Sequence, residues 1–154
     1  MKLVIITTFF LFIQAQFLYG FSLPWAAGAK KLTPTNGMVE IPLKQISDGK
    51  AHHFKVRADD GVMVTFFTLQ SRDGVMRAAI DSCDVCYSSG KGYVQDGDYM
   101  ICENCGQRFA SNKINEIRGG CNPAPLERLI KDENLVISMA DITKNSWYCR
   151  LKKQ

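Results

Sequence analysis

The sequence predicts a small, mainly β domain with a metal-clamped loop module. Three observations carry this. Four Asp-Gly pairs punctuate apolar runs that alternate or are rich in β-branched and aromatic residues. Patterning with the period of a helix is scarce. Two Cys-x-x-Cys pairs, Cys83/Cys86 and Cys102/Cys105, stand fifteen residues apart, a spacing typical of tetrahedral metal sites. The expected architecture is a single domain over residues 38–154 whose double Cys-x-x-Cys module occupies residues 81–123.

The 154-residue chain fits one domain with an appendage. Residues 3–29 carry no charge, Lys2 supplies a basic start, and Leu3 to Ile13 is strongly apolar. Ala27-Gly28-Ala29 offers a small-x-small cleavage pattern, so residues 1–29 read as a secretory signal peptide. The rival reading is an uncleaved membrane anchor. Gln14, Gln16, Gly20 and Pro24 interrupt that run, and Lys30 and Lys31 lie on the disfavoured side for an anchor with its N-terminus inside. The region has neither a lipid-accepting cysteine nor a twin-arginine pair, which points to the general secretion route. The expectation is an exported protein, periplasmic or attached to the outer face of the cytoplasmic membrane.

Residues 30–37 form a polar linker broken by Pro34 and Asn36-Gly37. Strands are expected at 38–43, with Pro42 marking an edge, and at 52–58, 62–69 and 75–80, each entered through an Asp-Gly turn. Residues 93–95 and 99–101 flank Asp96-Gly97 as a short hairpin that delivers the second cysteine pair. Further strands are expected at 113–117, 135–139 and 147–151. The single helix candidate is 125–131.

Each Cys-x-x-Cys can place two thiolates on one turn, and two such turns facing each other make a four-sulfur cage. Gly106, following Cys105, permits the positive φ that such a turn wants; Cys83-Asp84-Val85-Cys86-Tyr87 lacks this glycine. Cys121, in Gly119-Gly120-Cys121-Asn122-Pro123, follows after another fifteen residues. It is a substitute ligand, a disulfide partner or a reactive neighbour. Because exported proteins use cysteines in disulfides, the alternative to a metal is disulfide pairing of the six cysteines; beside a four-thiolate cage, a Cys121–Cys149 bridge would account for the remaining two. Local Cys-x-x-Cys disulfides would be strained and oxidising, which favours metal. Sulfur ligands suit iron, zinc and copper(I) alike.

Together, Asp81 to Tyr87, Gly90-Lys91-Gly92-Tyr93, Cys102 to Gly106, Ile114-Asn115-Glu116 and Gly119 to Pro123 resemble the FtrD-like membrane iron–sulfur containing proteins. Ile41-Pro42-Leu43 and Ser47 to His52 are similar too, so the resemblance covers most of residues 38–143. It implies that Cys83, Cys86, Cys102, Cys105 and Cys121 occupy the family's cysteine positions. It also implies an iron or iron–sulfur role in ferrous-iron uptake or electron transfer, with a membrane iron permease or associated redox protein as partner. The family's transporter component spans the membrane several times, whereas this chain offers at most one span and resembles the soluble module. A chain exported unfolded takes up its metal outside the cytoplasm, where a single iron, zinc or copper ion is easier to supply than a preassembled cluster. The alternatives are a structural-zinc module with a partner-recognition surface and a thiol–disulfide oxidoreductase, the latter without the βαβ context its motif usually has.

Other classes find little support. Beyond Lys2, eighteen basic residues face fifteen acidic ones without a basic block, a mixed-charge surface rather than a nucleic-acid footprint. His52 and His53 are the only histidines and, as strand neighbours, point to opposite faces. Met63, Met76, Met100 and Met139 read as core filler. No nucleophile–base pair or phosphate loop is recognisable, so the sequence assigns no catalytic residue.

Overall fold

Alternation along one strand organises the molecule. In the computed structural model, which describes residues 28–150, ten strands form three small sheets. The signal peptide or anchor expected over 1–29 lies, but for its last two residues, outside the described residues. The first sheet has the order β1 (Lys30–Lys31), β3 (His52–Arg57), β4 (Met63–Gln70), β5 (Met76–Ile80). Its β1–β3 pair is parallel and the others antiparallel. Lys30 and Lys31, within the segment read as a linker, thus join a sheet.

In β4, Val64 and Phe66 face one way and Phe67 and Leu69 the other, and all four are at most 1% exposed. A strand buried on both faces needs a partner layer on each side. On one side, Phe54, Val56, Val64, Phe66, Ala78 and Ile80 pack on Val39, Ile41, Leu135 and Ile137. Those four belong to the second sheet, β2 (Met38–Pro42), β10 (Asn134–Ser138), β9 (Leu129–Lys131). β2 is its edge, where Pro42 lacks a donor without loss. On the other side, Phe67, Leu69 and Ala79 pack on Tyr93, Met100 and three cysteines. Tyr93 and Met100 come from the third sheet, β6 (Tyr93–Asp96), β7 (Tyr99–Cys102), β8 (Arg108–Ala110). The Asp96-Gly97 turn joins β6 to β7, with Gly97 at φ +57°, and sets Tyr93 opposite Cys102.

The structure bears out a mainly β single domain and corrects three expected elements. Residues 113–117 are a turn, not a strand. They continue a 3-10 turn at Ser111–Lys113, and Asn115 adopts φ +70°. There the Asn115 amide bonds Ala78 N, Ala78 O and Leu126 O, doing with a side chain what a strand would do with its backbone. Residues 125–131 are extended rather than helical. Ile80 N donates to Ala124 O and Leu126 N to Ala78 O, so the free edge of β5 captures this segment before it becomes β9. Residues 146–149 form a 3-10 turn, where a closing strand was expected from 147. That turn continues α1 (Met139–Lys144), whose start is capped by the Ser138 hydroxyl accepting from Ala140 N at 3.1 Å.

Arg77 fastens the loop after β8 to the first sheet. Its side chain is 3% exposed and donates to Ser71 Oγ, Ile114 O, Glu116 Oε1 and Asp73 Oδ2. A buried guanidinium needs this degree of satisfaction. Among the described residues, no helix is long and apolar enough to cross a membrane.

Candidate metal centre

The second core ends in sulfur. Cys83 lies just past β5, and the backbone N–H of Cys86 points at Cys83 Sγ at 3.2 Å, the inward-facing amide of a metal knuckle. Tyr87 N then donates to Cys83 O, and a short 3-10 turn over Tyr87–Ser89 leads away. The other pair forms the turn between β7 and β8. Cys102 N donates to Gln107 O and Gly106 N to Cys102 O, with Gly106 at φ +73° as its position predicts. Cys121 arrives on the Gly119–Asn122 turn, closed by Asn122 N and Nδ2 donating to Gly119 O.

All five of these cysteines converge, but not as one four-sulfur cage. Cys83, Cys86 and Cys102 place their sulfurs within 4.8 Å of one another, and so do Cys86, Cys105 and Cys121. Cys83, Cys86 and Cys102 are buried, Cys105 is exposed and Cys121 half-buried. Cys149 stands apart against the first core, its sulfur 3.9 Å from Thr65 O. All six cysteines are free thiols, so the Cys121–Cys149 bridge does not form.

The profile of the family described as membrane iron-sulfur containing protein FtrD-like matches residues 46–148. The chain belongs to the FtrD-like family. No curated protein and no solved structure matches it. The donor set fits the group in the family's description. Iron–sulfur clusters take four cysteine thiolates, and this FtrD-like chain brings five thiols together.

The electrostatics are those of crowded thiols. The Asn104 amide, 3.3 Å from Cys86 Sγ, draws that thiol's pKa down, but burial and the neighbouring Cys102 and Cys105 outweigh it and push it up to about 12. Burial also raises Cys121, with the charge of Cys105 and Cys83 adding to it. Exposed Cys105 goes the other way, drawn down chiefly by the Gln107 backbone N–H. A bound cation deprotonates such a group of thiols together.

Residues around the thiols hold their geometry. The Tyr93 hydroxyl donates to Cys121 O at 2.7 Å and fixes the third cysteine segment. Burial raises the Tyr93 pKa far above the ordinary phenol range, so this donor stays protonated. Asp81 accepts from Tyr93 N at 2.8 Å and so ties the end of β5 to the start of β6. Asp84 accepts from the Tyr148 hydroxyl. These carboxylates serve hydrogen bonds, as their turn positions suggest. His52 pairs with Asp48 and His53 with Tyr93 O, on opposite faces of β3. Met100 lies in the sulfur-lined core and Met76 in the other. Sequence reasoning placed Tyr93 in a motif and at a strand start but gave it no role at the site. Its signal was a lone aromatic one residue beyond a glycine at the head of the hairpin carrying Cys102.

Proposed function

We propose that the chain is an exported metal-binding protein that assists bacterial ferrous-iron uptake or electron transfer at the membrane. One observation carries the reading: five cysteines of an FtrD-like chain converge at the rim of a dry core. Cys83, Cys86, Cys102, Cys105 and Cys121 would hold iron or an iron–sulfur group. Bound iron would supply one-electron chemistry with little rearrangement.

The chain's own residues suit that task. Phe67, Leu69 and Met100 exclude water from the inner sulfurs. The Cys86 N–H and the Asn104 amide donate to sulfur, which stabilises thiolate charge and tunes a thiolate-ligated centre. Exposed Cys105 brings one edge of the cluster to the surface, where a redox partner can approach. The partner in this reading is a membrane iron permease or its associated redox protein, met at the outer face of the cytoplasmic membrane. Thiol–disulfide exchange is less well served. A 3-10 turn follows Cys86 and strand β8 follows Cys105, so neither pair heads a helix that would stabilise a reactive thiolate.

Elemental analysis and an absorption spectrum of the full chain, purified anaerobically after export, test the reading. Iron with sulfur-to-metal charge-transfer bands is the expected result, and acid-labile sulfide separates a cluster from a single ion. Colourless stoichiometric zinc would replace the reading with a structural clamp.

A further inference from the structure

We propose that the five thiols form two metal subsites sharing Cys86 as a bridging thiolate. One is an inner subsite of Cys83, Cys86 and Cys102 that retains its ion. The other is an outer subsite of Cys86, Cys105 and Cys121 that exchanges a thiophilic ion with solvent. The inference rests on the metal-centre reading and adds its nuclearity and division of labour.

Geometry makes Cys86 the shared member. It is the one cysteine common to both sulfur triads. Thiolates on one tetrahedral ion with metal–sulfur bonds of 2.3 Å stand roughly 3.8 Å apart. Triads already closed within 4.8 Å need only small movements to seat an ion each. The expected cage of Cys83, Cys86, Cys102 and Cys105 does not group at that spacing; Cys105 groups with Cys86 and Cys121.

Charge favours two ions over one. Five thiolates around one divalent ion leave a formal charge of about −3, and a second divalent ion brings it to about −1. Asp81, Asp84 and Glu103 flank the cysteines with charge of the same sign. Each coordinating thiol loses its proton to solvent, and no electron is transferred.

Exposure separates the two subsites. The inner sulfurs belong to cysteines 0%, 8% and 2% exposed, sealed by Phe67, Leu69 and Met100. Of the outer triad, Cys105 is exposed and Cys121 half-buried, so an ion there keeps a coordination position open to water or an incoming ligand. Each triad supplies three thiolates, one short of a tetrahedral set, so access to solvent rather than thiolate count separates the exchanging subsite from the retained one.

The test loads the reduced full-length chain anaerobically with Cd²⁺, counts ions by native mass spectrometry and reads their ligands by ¹¹³Cd NMR. Two Cd²⁺ per chain are expected, giving two thiolate-shifted resonances. EDTA should strip one ion and leave the other. Cys105→Ser and Cys121→Ser should each bind a single, EDTA-resistant Cd²⁺, with an unchanged ¹H–¹⁵N spectrum away from the site. Cys86→Ser should bind no EDTA-resistant ion; if it misfolds, the two outer-site variants still decide. A wild-type chain that saturates at one Cd²⁺, or one cluster held by four cysteines, overturns the two-ion arrangement while leaving the metal-centre reading intact. No Cd²⁺ binding at all overturns both.

Discussion

Gly92 packs against the Asp81 carboxylate with its backbone in the left-handed region. A Cβ built on Gly92 would run into the Asp81 carboxylate, and Gly92 adopts φ +77°. The same carboxylate accepts from Tyr93 N, the next residue along, so backbone and side chain are pressed together where β5 hands over to β6. Gly92→Ala should therefore destabilise the fold by about 2 kcal/mol, combining a left-handed backbone cost with a displaced carboxylate. Urea unfolding measures it. A midpoint equal to wild type would show that the approach is slack.

Phe66 and Phe67 separate stability from site integrity. Both are fully buried, on opposite faces of β4 and in different cores. Truncation of either to alanine should cost about 3–5 kcal/mol. Only Phe67→Ala should alter the charge-transfer spectrum of a Co²⁺-loaded chain, since only that cavity borders the sulfurs. Equal spectral changes in both variants would contradict the two-core arrangement.

Removing the Tyr93 hydroxyl should loosen one segment selectively. Tyr93→Phe deletes the donor to Cys121 O and leaves a carbonyl short of a partner, a cost of about 1 kcal/mol. Amide exchange in the Gly119–Asn122 turn should quicken, while exchange in β3 and β4 stays as in wild type. Uniform acceleration across the protein would instead mark Tyr93 as an ordinary core residue.

Acid should undo the β4–β5 turn at a predictable point. The Ser71 hydroxyl, the Val75 N–H and Arg77 hold the Asp73 carboxyl at about 2, below its ordinary 3.8. A depressed acid contributes stability that is fully present above the unfolded value. That contribution fades as pH falls from 3.8 and is gone below about 2. Asp73→Asn should be less stable than wild type at neutral pH and show a smaller loss between those two pH values. Chemical-shift titration of Asp73 checks the midpoint, and a midpoint near 3.8 would remove the basis for the prediction.

What the sequence made legible was mostly local. Asp-Gly turns placed β3, β4, β5 and the β6–β7 hairpin because the turn and its flanking alternation are written in adjacent residues. The convergence of the cysteines was legible from spacing, though not their division into two triads. That depends on where β8 directs Cys105, and a strand of three residues leaves almost no pattern. Two of the misread segments share one cause. Residues 125–131 and 113–117 take their shape from β5, through Ala78, Ile80 and Arg77, which lie more than thirty residues away in sequence. Ile114 is buried and Ile117 is 46% exposed, so the two isoleucines of residues 113–117 do not share an environment.

The two-faced burial of β4 removes a safeguard that most strands have. In an ordinary half-buried strand, slipping the pairing by one residue throws apolar side chains into water, and that penalty enforces the correct alignment. In β4 a slip would exchange Phe66 with Phe67 and find grease on either side, so burial alone discriminates poorly between alignments. Alignment here falls to the hinges at each end: the Asp60-Gly61 turn, where Asp60 accepts from Val62 N, and the Asp73-Gly74 turn held by Arg77. Insertion of a single residue into either turn, far from any sulfur, would turn the wall between the cores inside out and take the cysteines out of reach of one another.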